Sequence, residues 1–420
     1  NNHIYIMKKI SILFVSLLIF YSCNNEVDIT NPVVDPSNFL SQTTPLTNNS
    51  KLVMDGVYEV VDGKDLLGDQ VVVKWNRDRL SIFSSKNGGY LVLEAGYLDS
   101  VIFFEGYWRY STSSETGVVS FYIPSDEGGS KIILGDTTAT TISFIGEYGN
   151  GNGLADKKLV LKFNRDFSQE VKQSDFYILA HRGGGRNSDY LGVSENSLEM
   201  INIAERFGSN GIEIDARLSK DGVPFLYHDG DINLRLTQKS LIWGDVEDFT
   251  WAQLRTLITL RNGEKIPSLR EALEFVLEET NIRAVWLDTK DVDVVPASIE
   301  ILTEINDRAI TMGRDLKIVL GIPADDVYEE FIAQPNYQNV PSLCELTLDQ
   351  VRQADSDIWA PRWTMGLQTS EVQQMHSEGR LVFTWTLDET SYIEEFINQG
   401  EFDGILTNYP TIVSYYHYIK

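Results

Sequence analysis

The sequence predicts two folded domains: a smaller all-β domain, barrel or sandwich, over residues 49–165, followed by an α/β domain of the TIM (β/α)8 type over 176–420. Three observations carry this prediction. Short β-prone runs fill the first region with turn residues between them, and apolar strand-like runs alternate with helical patterns through the second. The residues capable of chemistry fall at the C-terminal ends of those later runs, the face where such barrels place their active sites. A length of 420 residues allows two or three domains, and 42% hydrophobic with 11% aromatic content is enough to fill ordinary cores. The formal charge of −26, with a pI near 4.5, argues against nucleic acid or an anionic membrane face as a partner. Any phosphate the chain handles must be met by local cations.

In chain order, Met7-Lys8-Lys9 and the apolar run 10–20 read as the charged and hydrophobic parts of an export signal, too short to span a bilayer. The run closes on Tyr21-Ser22-Cys23, which resembles a bacterial lipoprotein signal (1–23) whose cysteine is lipidated. A lipid on Cys23 would place the chain at the cell envelope, exported and anchored to a membrane. Plain secretion with an incidental Cys23 is the alternative. Only Cys23 and Cys344 are present, so a lipidated Cys23 leaves no disulfide and the fold must rest on core packing. Residues 24–48, rich in Asn, Pro, Thr and Ser, read as a flexible tether.

Nine β-prone runs follow, at 56–61, 71–75, 80–83, 90–94, 101–110, 118–123, 131–134, 141–145 and 158–163, the pattern of an antiparallel meander. Trp75, Trp108 and Tyr110 within them read either as ligand-lining residues or as core and cross-strand aromatics. No catalytic constellation is visible in this domain, and 164–174 reads as a linker.

In the second domain the runs 177–180, 211–216, 223–229, 284–289, 317–321, 357–360, 381–385 and 404–407 supply eight strands. Helical patterns at 194–207, 268–279, 296–312, 325–333, 347–354, 370–378 and 389–398 lie among them, with Ser194 as a candidate N-cap and Gly208 as a stop. The first run delivers His181-Arg182-Gly183-Gly184-Gly185. The glycines let a ligand approach the backbone, and the arginine suits an anionic group.

The second run carries Glu213 and Asp215 at i and i+2, which period-2 geometry points to one side. Like charges buried together repel and lose hydration, and a divalent cation resolves the conflict. Asp288 adds a third hard oxygen ligand, so the set suits Ca2+ or Mg2+. Arg182 can fork onto phosphate and Lys290 can add a point charge. Of five histidines, His181 and His228 end predicted strands and form the acid/base pair, a contribution of about 10²–10⁴-fold. His376 and His417 lie in helical, polar contexts and receive no role.

Together these stretches resemble the glycerophosphodiester phosphodiesterases. The resemblance rests on His181-Arg182-Gly183, Ser194-Glu195-Asn196-Ser197, Glu213-Ile214-Asp215, Asp221-Gly222, His228-Asp229, Ile266-Pro267-Ser268-Leu269, Asp288-Thr289-Lys290, Thr384-Trp385-Thr386 and the stretch from Asp403 to Pro410. The family usually has proline at Ser194, glutamate at Asp288 and aspartate at Asn408. The resemblance implies hydrolysis of a small-molecule glycerophosphodiester to glycerol phosphate and an alcohol. It implies attack by the neighbouring glycerol hydroxyl to give a cyclic phosphate that water then opens. Glu195 reads as an anchor for Arg182 or the histidines, or as a first-turn helix acid; Trp385 as a contact for the glycerol or head group, or as barrel core; Arg235 and Thr237 as loop-fixing residues.

Other readings of the same residues are a phospholipase-like enzyme cutting a lipid or polymer phosphodiester, a glycosidase using Glu213 and Asp215, and a non-catalytic surface binder. A carboxylate pair leaving one strand two residues apart suits a glycosidase poorly, and it leaves both histidines idle. The same histidines and acids argue against a spent scaffold.

Overall fold

The computed structural model of the protein describes residues 31–32, 40–138 and 141–420. The expected signal with Cys23, and residues 24–30 and 33–39 of the expected tether, lie outside them. Among the described residues no helix is long and apolar enough to cross a membrane.

The first eight strands are β1 (Gly56–Asp62), β2 (Gln70–Asn76), β3 (Arg79–Ser84), β4 (Gly89–Leu98), β5 (Val101–Tyr110), β6 (Thr116–Ile123), β7 (Ser143–Tyr148) and β8 (Lys157–Arg165). Each pairs antiparallel with the next and β8 returns to β1, which closes an up-and-down barrel with no free edge. Alternation along β5 sends Phe104, Trp108 and Tyr110 to its interior, where they pack with Tyr58, Trp75 and Phe144. The three aromatics weighed as ligand contacts are therefore core.

Two sequence expectations fail in this region. The run 131–134 is not a strand but the end of a short helix, Gly129–Ile133, whose Ile132 is buried in the barrel core. Four apolar residues are too few for periodicity to separate helix from strand. The expected tether also ends early. Thr44 pairs with Tyr97 of β4 through backbone bonds of 2.8 and 2.9 Å, Leu46 enters the barrel core, and Thr47 caps a helix at Asn48–Leu52. Thr47 accepting at a helix start and Leu46 finding apolar neighbours give this polar stretch enough to order it. In the expected linker, Ser168 caps a further short helix, Gln169–Gln173.

The second barrel is parallel: β9 (Tyr177–Ala180), β10 (Gly211–Leu218), β12 (Ala284–Thr289), β13 (Lys317–Ile322), β14 (Ser342–Cys344), β15 (Ile358–Trp359), β16 (Leu381–Thr384) and β17 (Gly404–Thr407), closed by pairing of β17 with β9 and β9 with β10. Its interior holds Leu179, Trp286, Val319, Leu343, Ile358, Phe383 and Leu406, and a larger apolar layer joins the strands to the outer helices. The expected eight-stranded α/β barrel is present, but one of its strands is assigned differently. The run expected at 223–229 forms β11 (Pro224–Leu226), an antiparallel hairpin partner of β10 outside the parallel ring. The fifth barrel strand is instead β14, which the sequence reading passes over.

The helix expected from Ser194 begins at Leu198, with Ser197 as its N-cap, and turns 3-10 before Gly208 ends it at φ 86°. Helices at Trp251–Leu257 and Pro410–Tyr418 were not anticipated. Phe83, Tyr90 and Val92 of the β-barrel pack against Met200, Phe207 and Tyr415 of the parallel barrel, so the two share one apolar interface.

Candidate active site

Strand register assembles the site. Ala180 lies beside Thr407 on one side and Ile212 on the other, so the next residues along, Asn408, His181 and Glu213, stand in a row at the strand ends. Asp215 lies opposite Asp288 in the β10–β12 pairing. Glu213, two residues earlier, shares Asp215's face. The three carboxylates each offer an oxygen within 4.8 Å of the others. His228 arrives by the hairpin: Tyr227 N–H donates to the Asp215 carbonyl at 3.0 Å, and His228 follows it.

His181 Nε2 lies 3.7 Å from Glu213 Oε2, and its Nδ1 is 3.0 Å from Asn408 Oδ1. Asn408 is held in turn by Asp388, whose Oδ1 accepts from the Asn408 backbone N–H at 2.8 Å and whose Oδ2 accepts from Nδ2 at 2.7 Å. Arg182 adopts a left-handed conformation at φ 55°, which turns its backbone N–H onto Glu213 Oε2 at 2.7 Å while its guanidinium reaches Glu195 at 3.1 Å. Asn196 is left-handed too, at φ 56°. Its Nδ2 donates to Asp215 Oδ2 at 2.6 Å, and its Oδ1 accepts from the Asp215 N–H at 3.1 Å.

The electrostatics sort the acids. Burial pushes the Glu213 carboxyl well above the usual range, and the Asp215 and Asp288 charges add to the shift. Burial pushes Asp215 the same way, but Lys290, His228, Asn196 and Arg182 overcome it and hold Asp215 at about 2. Lys290 is 2.9 Å from Asp215 Oδ1 and also pairs with Asp288. Burial alone would lower its pKa, yet the three carboxylates raise it. For His181, burial and then Arg182 lower the pKa and favour the neutral ring. Burial raises the Asp229 carboxyl, but hydrogen bonds from Arg235, His228 and Asn233 outweigh that and leave it low.

Oε1 of Glu213 and Oδ1 of Asp288 are buried without a hydrogen-bond partner, and Asp215 Oδ1 has only its ion pair with Lys290. Converging carboxylate oxygens with unused lone pairs fit a hard divalent cation.

The structure brings His181, Arg182, Glu213, Asp215, Asp288 and Lys290 together through a chain of pairwise contacts. Glu195 bridges Arg182 and Arg235, and Arg235 continues to Asp229, which holds His228 Nδ1 at 2.7 Å. Trp385 stands to one side: its indole N–H donates to the Ala360 carbonyl at 2.9 Å, and the Arg362 guanidinium lies 4.6 Å over its ring. Thr237 bonds within its own loop, to the Asn233 carbonyl.

Two sequence assignments change. His228 follows a hairpin strand rather than a barrel strand. His417 is not in a polar context but buried and stacked on Phe176, with its centroid 4.7 Å away.

Asn196, Asn408, Asp388, Arg217 and Glu345 carry no sequence signal that assigns them a role. Arg217 grips the His228 carbonyl at 3.0 Å and Asp291 at 2.9 Å. Burial pushes the Glu345 carboxyl up to about 8, with the Asp288 charge adding to it. Glu345 follows β14, so recognising that strand would have pointed to it.

A parallel (β/α)8 barrel whose C-terminal mouth gathers three carboxylates, two imidazoles and their cationic partners defines the class. Residues 181–322 match the model of the Glycerophosphoryl diester phosphodiesterase family. Among curated relatives, Glycerophosphodiester phosphodiesterase 1 of Rattus norvegicus is 39% identical over 103 residues, 23% of this chain and 28% of the relative. The chain thus spans under a third of that relative's length. Glycerophosphodiester phosphodiesterase of Caldanaerobacter subterraneus is 26% identical over 263 residues, 56% of this chain and 94% of the relative. Among solved structures, a phosphodiesterase of Oleispira antarctica in complex with the product sn-glycerol-3-phosphate aligns with TM-score 0.45 and 20% identity, over 56% of this chain and 94% of that one. A glycerophosphodiester phosphodiesterase from Parabacteroides distasonis aligns with TM-score 0.44 and 23% identity, over 55% and 92%.

Proposed function

We propose that the chain hydrolyses glycerophosphodiesters to glycerol phosphate and a head-group alcohol, with His181 and His228 moving the protons and Glu213, Asp215 and Asp288 holding Ca2+ or Mg2+. One observation carries the reading: a carboxylate cluster with unused oxygens is flanked by both imidazoles, His181 at 3.7 Å from Glu213 and His228 close enough to lower the Asp215 pKa. When bound, the cation supplies Lewis-acid polarisation of the phosphate. Arg182 and Lys290 supply the protein's own positive charge to the phosphate oxygens.

In the first step the glycerol hydroxyl beside the phosphate attacks phosphorus, its proton passes to one imidazole, the bond to the head-group oxygen breaks, and the other imidazole protonates that oxygen. An internal nucleophile gains effective molarity. Water then opens the cyclic phosphate with the proton roles exchanged.

Hydrogen bonding supports His181 as the first base. Asp388 can only accept, so the Asn408 amide nitrogen faces it and the amide oxygen faces His181. His181 must then donate from Nδ1, which leaves Nε2 free to take the hydroxyl proton. His228, whose Nδ1 is 2.7 Å from Asp229 Oδ1, is held by that carboxylate and takes the acid role.

The placement we propose is the cell envelope, with the chain anchored through a lipid on Cys23 and acting on soluble, deacylated glycerophosphodiesters. The sequence of residues 7–23 supports it. The test of the activity is turnover of glycerophosphocholine with and without EDTA. Turnover lost in chelator and restored by Ca2+ or Mg2+ is expected; no turnover in either metal, or full turnover in chelator, refutes the reading.

A further inference from the structure

His181 sits between two pieces of chain, the glycine loop that follows it and the turn that carries Asn408, and the β-barrel grips both from outside. On β4, Tyr90 is fully buried between the barrels, edge-on to Phe207 with centroids 5.8 Å apart. Its hydroxyl donates to Asn187 Oδ1 at 3.1 Å, and Asn187 Nδ2 donates to the Gly184 carbonyl at 2.8 Å. The Gly184 and Gly185 N–H groups in turn donate to the His181 carbonyl, at 3.3 and 2.6 Å.

The second strut leaves the end of β5. The buried hydroxyl of Ser111 lies 2.7 Å from that of Thr411, in the first turn of the helix Pro410–Tyr418. The turn leading into that helix presents Asn408, which meets His181 Nδ1 with its side chain and accepts from Arg186 N–H with its carbonyl at 2.8 Å. Gly185, at φ 64°, lies so close to the Asn408 backbone that any side chain there would collide with it.

A loop of one histidine, one arginine and three glycines, with Arg182, Gly183 and Gly185 all at positive φ, has little local preference for its observed path. Contacts from a rigid neighbour must select it. The β-barrel interior is filled by its own aromatic side chains, whereas its outer face carries both struts. We infer that the N-terminal β-barrel is a brace for His181, with Tyr90 and Ser111 as positioning residues acting through Gly184 and Asn408. The inference rests on the reading of His181 as a proton-transfer group.

The test compares two tyrosine-to-phenylalanine variants of the full chain. Tyr90→Phe keeps the buried ring and removes the strut. Tyr58→Phe removes an equally buried hydroxyl of the same barrel, one that donates to the Met54 carbonyl at 2.9 Å inside the β-domain. At matched fraction folded, Tyr90→Phe is expected to lower kcat on glycerophosphocholine about tenfold with KM nearly unchanged, and to speed amide exchange at Gly184 and Gly185 by a similar factor. Tyr58→Phe is expected to leave both readouts at the wild-type value. Adding Asn187→Ala to Tyr90→Phe should cost little more, because both act on one strut.

Equal kcat in the two variants, or exchange at Gly184 and Gly185 that does not differ between them, overturns the brace. If the wild type turns over no glycerophosphodiester, the hydrolase reading falls by itself. Exchange then decides the brace alone, faster in Tyr90→Phe supporting it and unchanged overturning it.

Discussion

Acidification should weaken the fold through His417. Its ring, on the C-terminal helix Pro410–Tyr418, is 6% exposed and stacks on Phe176 at an interplanar angle of 14°. Burial lowers its pKa to about 4, and the charges of Lys420 and Lys74 add to the effect. In an unfolded chain the same ring titrates near 6.5, so folding depresses the pKa. Above about pH 6.5 both states hold a neutral ring and its contribution is fully present. Between about 6.5 and 4 the unfolded chain binds a proton that the folded chain refuses, and stability falls as pH falls. A gap of roughly 2.5 units at about 1.36 kcal/mol each gives a loss of about 3 kcal/mol across that window. Urea denaturation of the wild type and of His417→Phe, from about pH 8 to pH 4, isolates the effect, because the carboxylates titrate alike in both. Relative to the variant, the wild type should lose about 3 kcal/mol over that range at unchanged m-value. Parallel stability curves would refute the assignment of a neutral buried imidazole.

Four further outcomes follow from the site. Asp215→Asn should abolish turnover and weaken calcium binding in calorimetry while the circular dichroism stays native; full activity in that variant refutes the cation site. His181→Ala and His228→Ala should each lose roughly 10²-fold or more in kcat, and a nitrophenolate leaving group, which needs no proton, should rescue His228→Ala far more than His181→Ala. Equal rescue would remove the division into base and acid. Asp388→Asn would let the Asn408 amide turn over and present its N–H2 to His181, so kcat should fall about 10²-fold and the His181 ring should change tautomer in ¹⁵N spectra; an unchanged tautomer would break the proposed relay. Cys23→Ala should move the protein from the membrane fraction to the soluble fraction with kcat/KM unchanged, and a wild type that is already soluble argues against the anchor.

What the sequence discloses depends on how long each signal runs. The strands ending at His181 and at Asp288 are apolar runs of four residues that stop at charge, and the stretch carrying Glu213 and Asp215 alternates them with Ile212 and Ile214, so all three are legible. β14 has three residues, too short for any period, so Glu345 just beyond it has no visible frame. The run carrying His228 reads as a strand in any topology. Asp221-Gly222 ahead of it is a hairpin signal that assigns it to an antiparallel turn back from β10. The late start of the helix after Ser194 has a local cause. Asn196 takes a left-handed conformation that no helix tolerates, and in doing so aims both ends of its amide at Asp215. That geometry needs a tertiary partner nineteen positions away, so spacing alone does not reveal it. The two struts from the β-barrel are hidden for the same reason, since Tyr90 and Asn187 lie 97 positions apart.

The charge at the mouth bears on the same question as the bulk charge of −26. Arg182 and Arg235 face Glu195 and Asp229, Lys290 faces Asp215 and Asp288, and Arg217 faces Asp291. Glu213 has no cationic side chain of its own. The basic side chain paired with it is the His181 ring at 3.7 Å, whose pKa burial lowers. The carboxylates at the mouth outnumber the lysine and arginine side chains paired with them, a deficit of positive charge. In a solvent-poor pocket such a deficit is met by protonation or by an ion. The raised pKa of Glu213 is one response, and a divalent cation held by the three carboxylates would be another. With the deficit filled, Arg182 and Lys290 no longer answer only to carboxylates, and an incoming phosphate meets a balanced mouth on a strongly acidic chain. An ion bound there would thus govern both the ionisation of Glu213 and the approach of an anionic substrate, and chelation would then weaken substrate binding as well as turnover.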